Sequence, residues 1–388
     1  MSIMRKTFLL LFFIIILLTG VYVIFFYLQL PSRTKNISQM VKDTINATQN
    51  SNDVPRLSIV AQNLDVPWAI AFFPDGILVT ERKGQIKHIS SQGVLDSGPI
   101  LTIDNVKQVG EGGLHGIALH PDFSNNHFIY VYHTYSSQGN NTLNRVVRYT
   151  LQEVSLTNST IIVDKIPGAP NHDGGRIKFG PDGYLYITTG DAQEPSLAQN
   201  KNSLAGKILR VKDDGSAVND NPFINGGGNP LVYSFGHRNP QGICWDSNGE
   251  LWETEHGPSG TDSGNDELNK IEKGTNYGWP TIQGNQTRPG MVTPIINSGT
   301  ADTWAPAGAA CVKSSVFFGG LRGNALYEAV IDGSNATLKT HLKGELGRIR
   351  EVIQGPDGML YITTSNRDGR GVPSSGDDKI LRVNPEKL

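Results

Sequence analysis

Two cysteines in 388 residues are too few for a disulfide scaffold, and Cys244 and Cys311 lack the spacing of a metal-binding pair. They are either buried thiols or one disulfide. No block of lysine or arginine occurs and the formal net charge is −2, which excludes nucleic acid as the main partner, because phosphate backbones are held by clustered cations. Any charge on a ligand must therefore be met by local groups. Gly-x-Ser-x-Gly and the Walker pattern are both missing, so neither a nucleophile elbow nor a phosphate loop is encoded. The EF-hand pattern is also missing, and beyond residue 54 there is no sustained helical periodicity.

Long hydrophobic runs are confined to the amino terminus. After Arg5 and Lys6, Thr7 to Leu30 are almost wholly apolar, about long enough to cross a bilayer core as a helix. The run exceeds an ordinary signal-peptide core, no clear small-x-small cleavage site follows, and no cysteine stands near residue 20 for lipidation. The expectation is an uncleaved signal anchor over 1–30, with the basic flank inside and the rest of the chain outside the cytoplasm. Residues 31–53, rich in Ser, Thr, Asn and Lys, read as a flexible tether. Glycosylation-type tripeptides at Asn36, Asn46, Asn140, Asn158, Asn285 and Asn335 agree with an external location, although such tripeptides arise often by chance.

What is abundant is glycine, at 44, and proline, at 21, which favours many turns over long helices. One phrase recurs beyond the tether: Pro74-Asp75-Gly76-Ile77-Leu78-Val79-Thr80, Pro181-Asp182-Gly183-Tyr184-Leu185-Tyr186-Ile187-Thr188, Asn248-Gly249-Glu250-Leu251-Trp252-Glu253-Thr254, and Pro356-Asp357-Gly358-Met359-Leu360-Tyr361-Ile362-Thr363. His120-Pro121-Asp122-Phe123 is a degenerate copy, and Gly319-Gly320-Leu321 leading into Ala325-Leu326-Tyr327 is taken as a sixth. Each turn precedes an apolar, aromatic, β-branched strand, and several of these lead to a further strand carrying a cation, as in Gln85-Ile86-Lys87-His88-Ile89. A unit of roughly 40–65 residues repeated about six times matches β-propeller blades, whose radial stacking covers both faces of every sheet. The expected fold is all-β, a six-bladed β-propeller occupying 54–388 as one domain.

The polar, glycine-rich segments fall between these strands. Asn171-His172-Asp173-Gly174-Gly175-Arg176 puts an imidazole between an amide and a carboxylate, just before Ile177/Phe179 and Leu185/Ile187, which read as a hairpin with one buried face. Gly110-Glu111-Gly112-Gly113-Leu114 places a carboxylate among small residues, and Gly236-His237-Arg238-Asn239-Pro240-Gln241-Gly242 puts a guanidinium beside two amides. Glu255-His256-Gly257-Pro258, Asp266-Glu267-Leu268-Asn269 and Asn276-Tyr277-Gly278-Trp279-Pro280 supply oxygen donors, which suit a hard cation such as calcium better than zinc. Arg348 and Arg350 have period-two spacing, so both can face one side of a strand. Singly, each has a structural explanation: a loop histidine is more often structural than catalytic, Glu111 could cap a turn, Arg238 could pair with a carboxylate, and Arg348/Arg350 could form a solvated face.

Together and in this order, these segments, with Val66-Pro67-Trp68-Ala69-Ile70-Ala71-Phe72 and Gly206-Lys207-Ile208-Leu209-Arg210, resemble the soluble glucose/aldose sugar dehydrogenases, six-bladed quinoproteins that use pyrroloquinoline quinone (PQQ). The resemblance covers nearly everything after residue 60. It implies His172 as the base that removes the sugar C1 hydroxyl proton, with Glu111, Asn171 and Arg238 facing the sugar. It implies Arg238, Asn239, Arg322, Arg348 and Arg350 as PQQ ligands, the carbonyls of Gly257 and Pro258 as ligands of a Ca2+ that meets PQQ, and Glu267 with the Tyr277 carbonyl at a second calcium. An aldose would be the substrate and a quinone, cytochrome or copper protein the external electron acceptor, and the resemblance admits a homodimer. The sequence departs from the family pattern in having Glu111 where glutamine is common, Asn171 where some members have aspartate, His115 for leucine and Arg322 for lysine.

Two competing readings are a non-catalytic carbohydrate- or protein-binding propeller and a propeller lactonase. A pure binder has no need of His172, Arg238, Gly257-Pro258 and the Arg348/Arg350 pair together. A lactonase wants a metal ringed by acidic and amide side chains rather than this arginine-rich set.

Overall fold

The structure is a computed structural model that describes residues 54–137, 141–153, 155–260 and 263–388. The expected anchor and tether, and the acceptor sites at Asn36, Asn46 and Asn140, lie outside the described residues. Among the described residues no helix is long and apolar enough to cross a membrane. Residues 56–388 form one compact unit of strands numbered β1 (Leu57–Ala61) to β24 (Ile380–Val383).

Six four-stranded antiparallel sheets follow one another along the chain. Five are built from consecutive strands, spanning 67–102, 114–167, 177–235, 240–297 and 306–341. In the sixth, β22 (Ile349–Gln354), β23 (Leu360–Thr364) and β24 are completed by β1, with Leu57 opposite Val383 and Ile59 opposite Leu381. The start of the domain thus closes the ring by pairing with its end, which protects the last blade's edge.

The core lies between neighbouring sheets. Leu78 and Ile86 of the first blade pack with Ile117, Ile129 and Val131 of the second, and Tyr130 and Val146 of the second pack with Ile187 and Leu209 of the third. Burial of such side chains contributes about 1.5–3 kcal/mol each. Both faces of a blade are covered in this arrangement, so the hairpin of β10 (Ile177–Phe179) and β11 (Leu185–Thr189) is buried on both, not on one as its alternation suggested. Ile187 is fully buried, and so are Tyr186 and Thr188 on the opposite face.

Five of the six repeat phrases occupy the turn between the first and second strands of their blades. Gly319-Gly320-Leu321 does not: it joins the second and third strands of the fifth blade, whose first turn is instead Lys313-Ser314. Glycine richness imitated the phrase at the wrong end of the sheet.

Candidate active site

Innermost strands of all blades run the same way, so every loop entering a first strand or leaving a second strand lies at one end of the ring. Glu111 precedes β6 (Leu114–Leu119), His172 precedes β10, Arg238 and Asn239 precede β14 (Pro240–Trp245), and Arg348 precedes β22. Gly257-Pro258 follow β15 (Leu251–Glu255), and Arg322 follows β19 (Ser315–Gly320). Topology alone therefore gathers segments more than two hundred residues apart. A cavity of about 640 Å³ opens at this end, lined by Glu111, Asn171, His172, Arg238, Gly257, Pro258, Arg322 and Arg348, with Asp266 and His256. Arg350 lines an adjoining recess with Trp68, Arg82, His115 and Glu111.

The loop that carries His172 is held by tight backbone contacts. His172 has φ of 67°, an uncommon conformation for a residue with a Cβ. Gly190 lets the chain pass, since a Cβ there would lie 1.9 Å from the His172 carbonyl oxygen. Extending the register Ile177↔Ile187 beyond the hairpin brings His172 beside Ala192, whose N–H donates to the His172 carbonyl at 3.3 Å. That register sets Asp191 against the imidazole, with Asp191 Oδ1 2.7 Å from His172 Nδ1. Asp191 is fully buried, also accepts from the Gln193 N–H at 2.8 Å, and takes the Trp279 indole N–H on Oδ2 at 2.8 Å. A carboxylate so fixed requires the proton on His172 Nδ1 and leaves the Nε2 lone pair for a ligand. The sequence motifs named neither Asp191 nor Trp279 in this role; the signal was the carboxylate following β11 in hairpin register with the histidine loop.

Glu111 lies on the other side of the base. One of its oxygens accepts from the His172 N–H at 3.1 Å and from Asn239 Nδ2 at 3.5 Å. Burial opposes its ionisation, but the charge of nearby His256 and the donors of Arg370 and His172 outweigh it and bring the carboxyl down to about 2. Asn239 Oδ1 accepts from the Gly174 N–H at 3.1 Å, tying the histidine loop to the arginine loop. Asp173, next to the base, is the opposite case. Burial raises its carboxyl to about 7, against bonds from Asn144 and the Ala169 N–H.

Cations dominate the remaining wall. Arg238 donates to Ser259 Oγ at 3.1 Å and stands over the Trp279 ring at 5.3 Å. Arg348 and Arg350 do share a face: both meet Asp368 Oδ2, at 2.9 and 3.3 Å. Burial lowers Arg350 to about 10, partly offset by Asp368. Arg82 Nε and Arg238 Nε are buried without hydrogen-bond partners. Such unpaired donors are costly unless a ligand supplies acceptors, and these fit a planar polyanion.

Glu267 and Tyr277 do not line the cavity. They lie behind it, in and beside the fourth blade, where the Tyr277 ring stacks on His237 at 4.8 Å. Glu267, Glu253 and Glu255 converge there, with His237 2.8 Å from Glu255. Glu253 Oε1 and Asn269 Oδ1 have no partner, and burial raises the carboxyls of Glu255 and Glu267, with the Asp191 charge adding to the first and the Glu255 charge to the second. An oxygen cluster with buried unpaired acceptors fits a hard cation. At the cavity, Gly257 is needed for close packing, since a Cβ would meet the Gly264 carbonyl at 2.1 Å, and its N–H is held by Asp266 at 2.9 Å.

The cysteines resolve into one disulfide, Cys244–Cys311, joining the innermost strands of the fourth and fifth blades.

The family model for glucose/sorbosone dehydrogenase matches residues 64–381. Aldose sugar dehydrogenase YliI of Escherichia coli is 32% identical, with 85% of this chain and 92% of that protein covered. Quinoprotein glucose dehydrogenase B of Acinetobacter calcoaceticus is 33% identical over 58% of this chain and 52% of its own length. The PQQ-bound aldose sugar dehydrogenase of Streptomyces coelicolor superposes with a TM-score of 0.76 at 38% identity, covering 84% of this chain and 98% of that one. The chain belongs to the glucose/sorbosone dehydrogenase family.

Proposed function

We propose that this sugar dehydrogenase oxidises the C1 hydroxyl of an aldose to a lactone using PQQ and calcium, and passes the electrons to an external acceptor. The observation that carries the reading is His172 held by buried Asp191 at the edge of an arginine-walled cavity. His172 Nε2 takes the hydroxyl proton, while Asp191 stabilises the imidazolium that results. Glu111 and Asn171, which line the cavity beside the base, orient the sugar. Arg238, with Asn239 beside it, donates to oxygens where negative charge develops. Arg322, Arg348 and Arg350 hold carboxylates of the cofactor. PQQ, when bound, supplies the two-electron acceptor for the C1 hydride, chemistry that no side chain provides. The Gly257 and Pro258 carbonyls would hold one calcium, which would supply a Lewis acid, and Glu267 with the Tyr277 carbonyl would hold a second, structural one. The PQQ-bound relative and the unpaired buried arginine nitrogens support this reading.

The reading includes export. A disulfide belongs to an oxidising compartment, which supports a propeller held outside the cytoplasm by the apolar 7–30 run. Dye reduction by the purified chain, loaded with PQQ and calcium and offered a panel of aldoses, tests the activity. Protease accessibility on intact cells tests the location, and a propeller protected from external protease until lysis would contradict it.

A further inference from the structure

A guanidinium outside all the sequence motifs closes part of the cavity mouth. Arg370, on the loop leaving β23, donates from Nη1 to Glu111 Oε1 at 2.8 Å and from Nη2 to Asn171 Oδ1 at 2.8 Å. Its side chain is 55% exposed and that of Glu111 25%, so the bridge stands where the cavity meets solvent. The second oxygen of Glu111 is already taken by the His172 N–H and Asn239. Both acceptor side chains beside the base already accept from protein donors, so a polyhydroxylated ligand meets a guanidinium here as well as the carboxylate and the amide.

This arginine is also anchored from behind. Its own N–H donates to Asp368 Oδ1 at 2.9 Å, and Asp368 Oδ2 accepts from Arg348 and Arg350. A planar fork fixed at its backbone and across two acceptors presents its remaining donors at set positions.

We propose that Arg370 is a specificity-determining residue, whose guanidinium forms a rim of the sugar pocket and, by donating to ligand oxygens, selects which aldoses bring C1 to His172. The proposal rests on the sugar dehydrogenase reading and on Glu111 and Asn171 as sugar-facing residues. Arg370 is separate from the base, so its loss falls on sugar binding and ranking more than on the chemical step.

The test uses the whole chain, with Arg370→Ala and Arg370→Lys. Thermal midpoints and PQQ titration establish that the variants fold and take up cofactor. Dye reduction is then measured over a panel of hexoses, pentoses and disaccharides, and calorimetry measures binding of 1,5-anhydroglucitol, a glucose analogue without the reacting hydroxyl. In Arg370→Ala, KM for the preferred sugar rises roughly 10- to 100-fold with kcat changed only a few-fold, as expected for loss of charge-assisted bonds. Affinity for the analogue falls by a similar factor and the ranking of sugars flattens. Arg370→Lys, which keeps the charge and loses the fork, recovers only part of this. Unchanged KM, ranking and analogue affinity in a folded, PQQ-binding variant would overturn the proposal, and so would a lower KM, which would make Arg370 an obstruction. A wild-type chain that neither binds PQQ nor reduces dye with any aldose would overturn the underlying reading, and the proposal with it.

Discussion

His172 Nδ1 and Asp191 Oδ1 stand 2.7 Å apart, and the same carboxylate accepts the Trp279 indole N–H on its other oxygen. The pair fixes one tautomer of the imidazole, so Asp191→Asn, which can offer an N–H in place of an acceptor, favours the wrong one. The expected result is a loss of about 10²- to 10⁴-fold in kcat with PQQ affinity preserved. Steady-state dye reduction alongside a PQQ titration measures both, and a variant with kcat within a few-fold of wild type would remove Asp191 from the mechanism.

Asp368 separates two guanidinia that would otherwise repel. Asp368→Asn is expected to cost about 3–5 kcal/mol of stability in the cofactor-free protein, as for other buried ion pairs broken on one side. If PQQ carboxylates lodge against Arg348 and Arg350, PQQ raises the thermal midpoint more in the variant than in wild type. Equal shifts would place the cofactor elsewhere.

Asp173 sets a pH dependence. Its folded carboxyl is raised to about 7 by burial, above the ordinary 3.8, so the unfolded chain ionises first. Stability is lost as pH rises from about 4 to 7 and is level above that. Asp173→Asn removes the loss, and its stability relative to wild type should improve by about 1–4 kcal/mol between pH 4 and 7.5. Urea unfolding at both pH values tests this, and a constant difference would refute it.

The disulfide closes a separation of 67 residues across two blades. Replacing Cys244 and Cys311 by serine should cost about 2–5 kcal/mol in urea unfolding, and reductant should destabilise wild type alone. Equal sensitivity of both proteins to reductant would contradict this.

Much of this was legible in the sequence because turn chemistry repeats. Pro-Asp-Gly needs the same geometry wherever it occurs, so the blades announced themselves, while the fifth, with Lys313-Ser314 at its first turn, did not. Residues that line the cavity stood out as polar islands between apolar strands. Asp191, Asp368 and Arg370 did not, because each acts through a partner distant in sequence: 19 residues for Asp191 and His172, and 259 for Arg370 and Glu111. Only strand register and the closing of the ring bring those pairs together. The acidic cluster behind Glu267 was half visible, since the motif named the strand while Glu253 reads as an ordinary strand residue.

The most direct measurement compares the purified chain with His172→Ala, both loaded with PQQ and calcium, by PQQ titration and aldose-dependent dye reduction in parallel. The account predicts equal PQQ affinity and a turnover at least about 10²-fold lower in the variant. Retained turnover in His172→Ala would contradict it.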